Sequence, residues 1–278
     1  MGALNQDPYE ELAEIVRKES GIVLKPEHAN SVRAKLQPLA EHWGLRGVDE
    51  LIARMRRERH NPTVMEEVLN ALTIKETSFF RDQTPFRVLK SRILPELAHA
   101  NPNRPLKLWS AACSTGQEAI SLAITVWEAL GSSGSQPQRL AEIVGTDVSE
   151  AAVARAKRGI YTEVEMRRGL TQQQRQRYFE AVDEGWRLRS DLQNMIRYRA
   201  LNLLDPDFPL PHFDVVMCRN VLIYFDNEGK RQALDEVERR MRANSYLLTG
   251  AGEDPARVHD GFERSRIDGV QVFQKANG

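Results

Sequence analysis

The stretch Leu106-Lys-Leu-Trp109-Ser-Ala-Ala-Cys113-Ser-Thr-Gly116-Gln-Glu118-Ala-Ile-Ser-Leu-Ala-Ile124 decides the fold. The apolar residues at its start predict a buried strand, and those after Glu118 predict a helix packed on a sheet. The turn between them is a run of small residues, which lets a ligand approach the main chain closely. An ordinary strand-to-helix turn needs one glycine and rarely such a run, so the stretch indicates a ligand site.

A second strand is predicted at Ala141–Asp147, followed by Ser149 as a helix N-cap. In doubly wound folds an acid at the end of the second strand accepts hydrogen bonds from ribose hydroxyls. The alternative for Asp147 is a second capping residue. The turn lacks G-x-G-x-x-G, and Asp147 follows Gly116 at more than the roughly 20 residues of the dinucleotide pattern. We therefore expect an adenosine-bearing cofactor other than a nicotinamide or flavin dinucleotide.

The spacing of apolar residues changes once along the chain. Its first part carries four apolar stripes at helical spacing, and after the Pro-rich stretch 101–105 strands and helices alternate. The helical stripes are Leu12, Ile15 and Val16; Val32, Leu36 and Leu39; Leu51, Ile52 and Met55; and Met65, Val68, Leu69 and Leu72. Gly21 is expected to end the first helix, and Asn61-Pro62 to begin the fourth. We predict an all-helical N-terminal domain (1–83), a linker (84–104) with a helix from Thr84 to about Leu97, and an α/β domain (105–278).

The segment of about 161–200 interrupts the alternation and predicts a small antiparallel insertion, with candidate strands at Trp186–Leu188 and Met195–Tyr198. The doubly wound pattern is expected to resume with Leu201–Leu204 and then the buried strand Phe213–Cys218. Arg219, Asn220 and Tyr224 follow that strand, where binding groups belong in such folds. The plainer interpretations are a helix-capping charge for Arg219 and core packing for Tyr224.

Composition narrows the function classes without choosing one. The 278 residues hold 39 Lys plus Arg and 39 Asp plus Glu, so no global field favours nucleic acid. We expect no signal peptide and no membrane span, because no apolar run approaches about 20 residues. The two cysteines, Cys113 and Cys218, are expected to be reduced and buried in a cytoplasmic protein. No zinc or other metal site is predicted.

Several blocks of the sequence, taken in order, resemble the chemotaxis-receptor methyltransferases, the CheR family. The blocks are Thr77-Ser-Phe-Phe-Arg81, Trp109-Ser-Ala-Ala-Cys-Ser-Thr-Gly-Gln-Glu118, Thr146-Asp147, Asn202-Leu203-Leu204 and Cys218-Arg-Asn-Val-Leu-Ile-Tyr-Phe-Asp226. The resemblance runs from about Tyr9 to Phe273. It implies a Rossmann-like S-adenosylmethionine-dependent methyltransferase domain with a small antiparallel β insertion, preceded by an all-helical domain. The implied reaction methylates glutamate side chains on cytoplasmic helices of bacterial chemoreceptors and leaves S-adenosylhomocysteine.

The resemblance also implies residue roles. It assigns to the S-adenosylmethionine pocket Thr77, Arg81, Glu118, Asp147, Asn202, Leu203, Arg219 and Asn220, and it places Tyr224 beside the transferred methyl group. Arg81 and Tyr224 are the catalytic candidates, because a guanidinium and a phenol can orient a carboxylate. The alternative for Arg81 is a surface arginine. The chain departs from the family at Lys75, where an Asn is usual, and in the segment Gly250-Ala-Gly-Glu253, so Lys75 and Glu253 receive no role.

An acidic receptor helix needs a basic face on the enzyme. Arg33 and Lys35 lie on the second predicted helix, and the third carries Arg54, Arg56, Arg57 and Arg59. Such runs are often only solvated, but the family favours receptor docking by this domain. In some members the β insertion grips a carboxyl-terminal receptor tether, and its use in this protein stays open. We expect a monomer that binds no nucleic acid. The alternatives are a methyltransferase of the same fold with another substrate, and a non-catalytic scaffold that binds S-adenosylmethionine.

Overall fold

A computed structural model describes residues 7–58, 61–73, 76–132, 135–206 and 209–276. The four helices predicted for the N-terminal part are all present. They are α1 (Pro8–Ser20), α2 (Ala29–His42), α3 (Val48–Arg57) and α4 (Pro62–Leu72). As predicted, Gly21 ends α1 in the left-handed region with φ of 75°, and the Asn61 side chain caps α4 by accepting from the Thr63 amide. The apolar stripes of these helices meet in a core of their own.

The linker helix begins at Thr84, as predicted, but it continues beyond Leu97 to Ala100. It consists of α5 (Thr84–Val88), a π-helical turn (Leu89–Ile93) and α6 (Leu94–Ala100). Its buried side packs in the same core as the first strand of the sheet, so it is an integral helix of the α/β part. Pro95 follows the π-helical turn, in which the Leu94 amide donates to the Leu89 carbonyl, and the proline supplies no amide hydrogen at the next position of the helix.

Strands and helices alternate after the linker. They follow in the order β1 (Leu106–Ala111), α7 (Gln117–Leu130), α8 (Pro137–Leu140), β2 (Ala141–Asp147), α9 (Glu150–Arg158), β3 (Ile160–Tyr161), α10 (Glu163–Arg167), α11 (Gln172–Tyr178), β4 (Phe179–Val182), β5 (Gly185–Leu188), α12 (Ser190–Gln193), β6 (Ile196–Ala200), β7 (Phe213–Cys218), α13 (Asn227–Arg240), β8 (Met241–Thr249), β9 (Phe262–Ile267) and β10 (Val270–Lys275). Short 3-10 helices lie at Pro26–His28, Leu222–Tyr224 and Pro255–Arg257.

The main sheet has the strand order β6-β2-β1-β7-β8-β10-β9. The five strands from β6 to β8 are parallel, and β10 and β9 add an antiparallel end. The sheet is therefore not parallel throughout, as predicted, but mixed at one edge. Only two residues connect β9 to β10, and so short a connection permits only an antiparallel pair. Side chains alternate across β1 as expected: Leu108 packs in the core with α7, and Trp109 packs in the opposite core with α13. Helices thus cover both faces.

The predicted insertion hairpin was partly wrong. The partner of β5, the strand that holds Trp186–Leu188, is β4, and with β3 they form a small sheet of order β3-β5-β4. The candidate strand at Met195–Tyr198 instead corresponds to β6, which pairs in parallel with β2 at the edge of the main sheet. Leu201–Leu204 is a loop and turn, not a strand. Burial of β6 against β2 decides this pairing, and alternation within one short segment cannot reveal its partner.

Both cysteines are free and buried, as predicted. Burial raises the pKa of both thiols, which keeps them protonated. Across the described residues, none of the helices has both the length and the apolar composition that a membrane span requires.

Candidate functional site

The carboxyl ends of β1, β2 and β7 open into a cavity of about 690 Å³ that the N-terminal helices close from the other side. All nine residues predicted for the site line this cavity. They are Thr77, Arg81, Glu118, Asp147, Asn202, Leu203, Arg219, Asn220 and Tyr224. These residues are separated by up to 147 positions in the chain. The end-of-strand rule accounts for Asp147, Arg219 and Asn220, whereas Thr77 and Arg81 precede β1 and were expected here only from the family resemblance.

The turn after β1 lines the cavity with Ala112, Cys113 and Ser114, whereas Gly116 does not line it and packs against other parts of the fold. Ala112, Ser114 and Gly116 have positive φ values of 58°, 51° and 97°. A side chain on Gly116 would lie 2.9 Å from both the Ala156 methyl and the Tyr198 hydroxyl, so only glycine fits. The Ser114 Oγ atom is buried beside the cavity without a hydrogen-bond partner among the described residues. A buried hydroxyl in that state fits a site whose ligand supplies the partner.

Asp147 ties this turn to the end of β2. One carboxylate oxygen accepts from the Ser114 amide at 2.8 Å, and the other accepts from the Ser149 amide at 3.0 Å. The N-cap of α9 is Ser149, as predicted, because its hydroxyl accepts from the Ala152 amide. Asp147 is therefore not the cap of that helix. It lies nine-tenths buried at the wall of the cavity, with a carboxylate suited to accept hydrogen bonds.

Glu118 and Arg219 form a buried ion pair below the cavity. Their side chains are 12% and 1% exposed, and Arg219 Nη1 donates to Glu118 Oε2 at 3.0 Å. The Ser110 hydroxyl donates to the other Glu118 oxygen at 2.7 Å. Burial raises the pKa of Glu118, and the Arg219 charge opposes that rise. The pair keeps two opposite charges at the floor of the site.

Arg219 also fixes the segment that carries Arg81. Its Nη2 atom donates to the Arg81 carbonyl at 2.8 Å and to Asp82 Oδ2 at 2.7 Å. Phe80, Asp82 and Gln83 all have positive φ, so this backbone needs such restraint. The Arg81 side chain donates only to the Glu76 carbonyl and has no carboxylate partner among the described residues. Its charge is therefore available to an anion in the cavity.

Tyr224 lines the cavity from the 3-10 helix Leu222–Tyr224. Its ring is half-buried, and its hydroxyl makes no hydrogen bond to any described residue. Burial raises the pKa of Tyr224, and the nearby Arg81 charge opposes the rise, so the phenol stays protonated and can donate. The Tyr224 carbonyl accepts from the Val23 amide at 2.9 Å, and Phe225 pairs with Ile22.

Beyond Thr77 and Arg81, the N-terminal domain contributes residues between 20 and 35 to the wall of the cavity, and these were not predicted from the sequence. That wall includes Ile22, Val23 and Leu24, and further out Lys25, His28 and Lys35. Asn202 joins the two parts, because its side-chain amide donates to the Glu19 carbonyl at 2.7 Å while its oxygen accepts from the Leu204 amide. Gly21 allows this close approach, since an added methyl would lie 2.6 Å from Leu204 Cδ1.

The predicted basic face is partly neutralised by acids of its own domain. Arg33 pairs with Asp49 at 2.6 Å, and Arg54 pairs with Glu58 at 3.1 Å. Arg56 lies 3.7 Å from Glu11. Of the other residues predicted for the basic face, Arg57 is exposed and Lys35 lines the cavity. Arg59 and Lys75 lie outside the described residues.

Comparison with known proteins accounts for both parts of the chain. Residues 7–73 match the family model described as "CheR methyltransferase, all-alpha domain", and residues 75–269 match "CheR methyltransferase, SAM binding domain". The chain belongs to the CheR family. Its S-adenosylmethionine-dependent methyltransferase domain is the part that holds β1 to β9, and S-adenosylmethionine is its cofactor.

CheR relatives match over nearly their full length. Chemotaxis protein methyltransferase 1 of Pseudomonas aeruginosa is 39% identical over 264 residues, which cover 95% of each chain. A chemotaxis protein methyltransferase of Pseudomonas putida is 36% identical over 96% of this chain and 97% of its own length. One from Vibrio anguillarum is 34% identical over 98% of both.

Proposed function

We propose that this CheR-family protein methylates glutamate side chains on the cytoplasmic helices of chemoreceptors, with S-adenosylmethionine as the methyl donor. Its curated relatives are chemotaxis protein methyltransferases. The observation that carries the proposal is that Arg81 and Tyr224 line the same cavity as Ala112 and Ser114 of the turn after β1, with the Arg81 charge near enough to oppose the rise that burial causes in the pKa of the Tyr224 phenol. Both side chains keep their polar ends available to a substrate.

The residues of the cavity fit an adenosine-bearing sulfonium cofactor. We assign the ribose hydroxyls to Asp147, whose carboxylate accepts hydrogen bonds, and the adenine to the apolar wall formed by Leu203 and Ile22. The buried Ser114 hydroxyl offers a further partner. The Glu118–Arg219 pair, Thr77, Asn202 and Asn220 complete the pocket.

Once bound, the cofactor supplies an activated methyl group to a carboxylate nucleophile. A glutamate with an unperturbed pKa of about 4.3 is already ionised at neutral pH, so the protein needs no general base. Its task is to align the carboxylate, an effect worth up to roughly 7–11 kcal/mol in favourable systems. Arg81 holds one carboxylate oxygen through its guanidinium, and Tyr224 donates one hydrogen bond. Neither contact removes the charge of the attacking oxygen.

The charges around the cavity favour an anionic substrate. Among the described acids that line it, Glu118 pairs with Arg219, Asp226 with Arg17, and Glu76 with Arg168. Three of the described cations that line it lack a carboxylate partner. They are Lys25, Lys35 and Arg81. Asp147 also lines the cavity and offsets one of these charges, and the remaining positive charge would attract an acidic helix and steer its encounter with the site.

The N-terminal helices dock the receptor through cations such as Lys35, Arg56 and Arg57, and the protein acts as a monomer in the cytoplasm, where receptor methylation takes place. Where a receptor carries a carboxyl-terminal tether, the small sheet β3-β5-β4 is the segment that would receive it.

Methyl transfer from radiolabelled S-adenosylmethionine to purified receptor cytoplasmic fragments tests the proposal. We expect base-labile label, the property of a methyl ester, on fragments with intact glutamates. Matched fragments with those glutamates replaced by alanine should stay unlabelled. Label on the alanine fragments would indicate another substrate group, and cofactor binding without transfer to any receptor fragment would favour a scaffold.

A further inference from the structure

Glu253 lies behind the site, in the turn that follows β8. It is 6% exposed and does not line the cavity. Its Oε2 atom accepts from the Asn220 amide at 2.6 Å and from the Gly250 amide at 2.8 Å, and Oε1 accepts from the Val221 amide at 3.0 Å. Hydrogen bonds to a charged acceptor are about twice as strong as neutral ones. One carboxylate thus joins the turn after β8 to the loop after β7.

The loop held by Glu253 is the one that carries the site. Arg219 begins it, and Tyr224 lies just beyond it. Asn220 has a φ of 57°, in the left-handed region that residues other than glycine adopt at a cost and that asparagine tolerates better than most. Two of the three Glu253 hydrogen bonds go to Asn220 and its neighbour Val221, so they restrain the loop at its least favourable point.

Gly250 makes this contact possible. A methyl group added there would lie 2.6 Å from Glu253 Oε2 and 2.9 Å from the Asn220 backbone nitrogen. Both distances are shorter than carbon–oxygen or carbon–nitrogen contact allows. The small residue at position 250 therefore lets the carboxylate reach across the carboxyl edge of the sheet.

We propose that Glu253 is a positioning residue for cofactor binding, which acts by fixing Asn220 against the cavity. The inference rests on the proposed assignment of Asn220 to the S-adenosylmethionine pocket. It gives a function to the segment Gly250–Glu253. In this role Glu253 touches neither cofactor nor substrate, so its effect should appear in cofactor affinity and depend on the Asn220 side chain.

The test is a double-mutant cycle on S-adenosylhomocysteine affinity, measured by calorimetry, with Glu253→Gln and Asn220→Gly. Glutamine has the same size as glutamate but only one acceptor oxygen. Its side-chain NH2 group is a donor, so it cannot accept a hydrogen bond from the backbone amides that the second carboxylate oxygen binds. We expect Glu253→Gln to weaken affinity by up to about tenfold, because the cofactor senses only the part of the lost charged contact that positions Asn220. In the Asn220→Gly background, where glycine tolerates the left-handed backbone, the same change should cost less than about threefold. The single-turnover rate at saturating cofactor should fall less than the affinity.

Two glycine variants separate positioning from loss of stability. Gly250→Ala keeps the carboxylate but intrudes on its contact with Asn220, so its affinity should fall as in Glu253→Gln. Gly252→Ala strains the same turn, because Gly252 has a φ of 83°, but its methyl group meets no described atom within 4 Å. It should lower the melting temperature without weakening affinity.

Three outcomes would overturn the inference. One is unchanged affinity in a folded Glu253→Gln protein. Another is equal affinity loss in Gly250→Ala and Gly252→Ala, and a third is full additivity of Glu253→Gln with Asn220→Gly. By contrast, wild-type affinity in Asn220→Gly alone would refute the assignment of Asn220 to the cofactor pocket, and the positioning role with it.

Discussion

Replacing Arg219 by methionine should destabilise the α/β part strongly, because it leaves the Glu118 carboxylate buried without its partner. The pair is nearly inaccessible, with Arg219 1% and Glu118 12% exposed. Breaking a buried ion pair by removing one partner typically costs about 3–5 kcal/mol. At about 2–4 °C per kcal/mol for domains of 150–250 residues, the melting temperature should fall by about 6–20 °C.

A second substitution distinguishes the stranded charge from lost packing. In Arg219→Met with Glu118→Gln, no charge remains buried at this position, and the double variant should recover a large part of the lost stability. The pair can be compared by scanning calorimetry, with circular dichroism to confirm that each variant is folded.

The pH dependence provides an independent check of the same pair. Burial raises the pKa of Glu118, and loss of Arg219 removes the charge that opposes this rise. An acid whose pKa is raised by folding contributes stability below its unfolded pKa, and that contribution is lost as pH rises through the folded pKa. The difference in melting temperature between the wild type and Arg219→Met should therefore be smaller at about pH 5 than at about pH 8. Equal melting temperatures for the single and double variants, together with a gap that pH does not change, would refute this reasoning.

Three further predictions concern binding and catalysis. Asp147→Asn should weaken S-adenosylmethionine and S-adenosylhomocysteine together by about 1.5–3 kcal/mol in calorimetry, since both share the ribose, and unchanged affinity for both would leave Asp147 a purely structural tie. Reversing Arg56 and Arg57 to Glu should reduce receptor methylation and flatten its salt dependence while cofactor affinity stays intact; undiminished methylation at low salt would mean that both are only solvated. Arg81→Ala should lower the single-turnover rate far more than cofactor affinity, and Arg81→Lys should recover little of the rate, because an ammonium cannot reproduce the planar fork. Weak cofactor binding with a normal rate at saturation would assign Arg81 to binding instead.

Local patterns in the sequence determined the elements and the edge of the sheet where the site lies. The apolar alternation of β1 and the small residues before Gly116 predicted the strand, the turn and the helix that the structure contains. Ser149 and Asn61 were predictable as caps, because a cap depends on residues two or three positions away. The end-of-strand rule then brought Asp147 and the residues after β7 to one cavity, while their individual roles stay predictions.

Tertiary structure decided whatever depends on partners distant in the chain. The pairing of β6 with β2 rather than within the insertion follows from burial at the sheet edge. The wall formed by Ile22 and Val23 depends on a backbone contact with Tyr224 and Phe225, about 200 positions away. The link from Glu253 to Asn220 is equally non-local. Hydrophobic periodicity and helix caps depend on residues a few positions apart in the chain. The contacts described here join residues that become neighbours only in the folded protein, so no local sequence pattern predicts them.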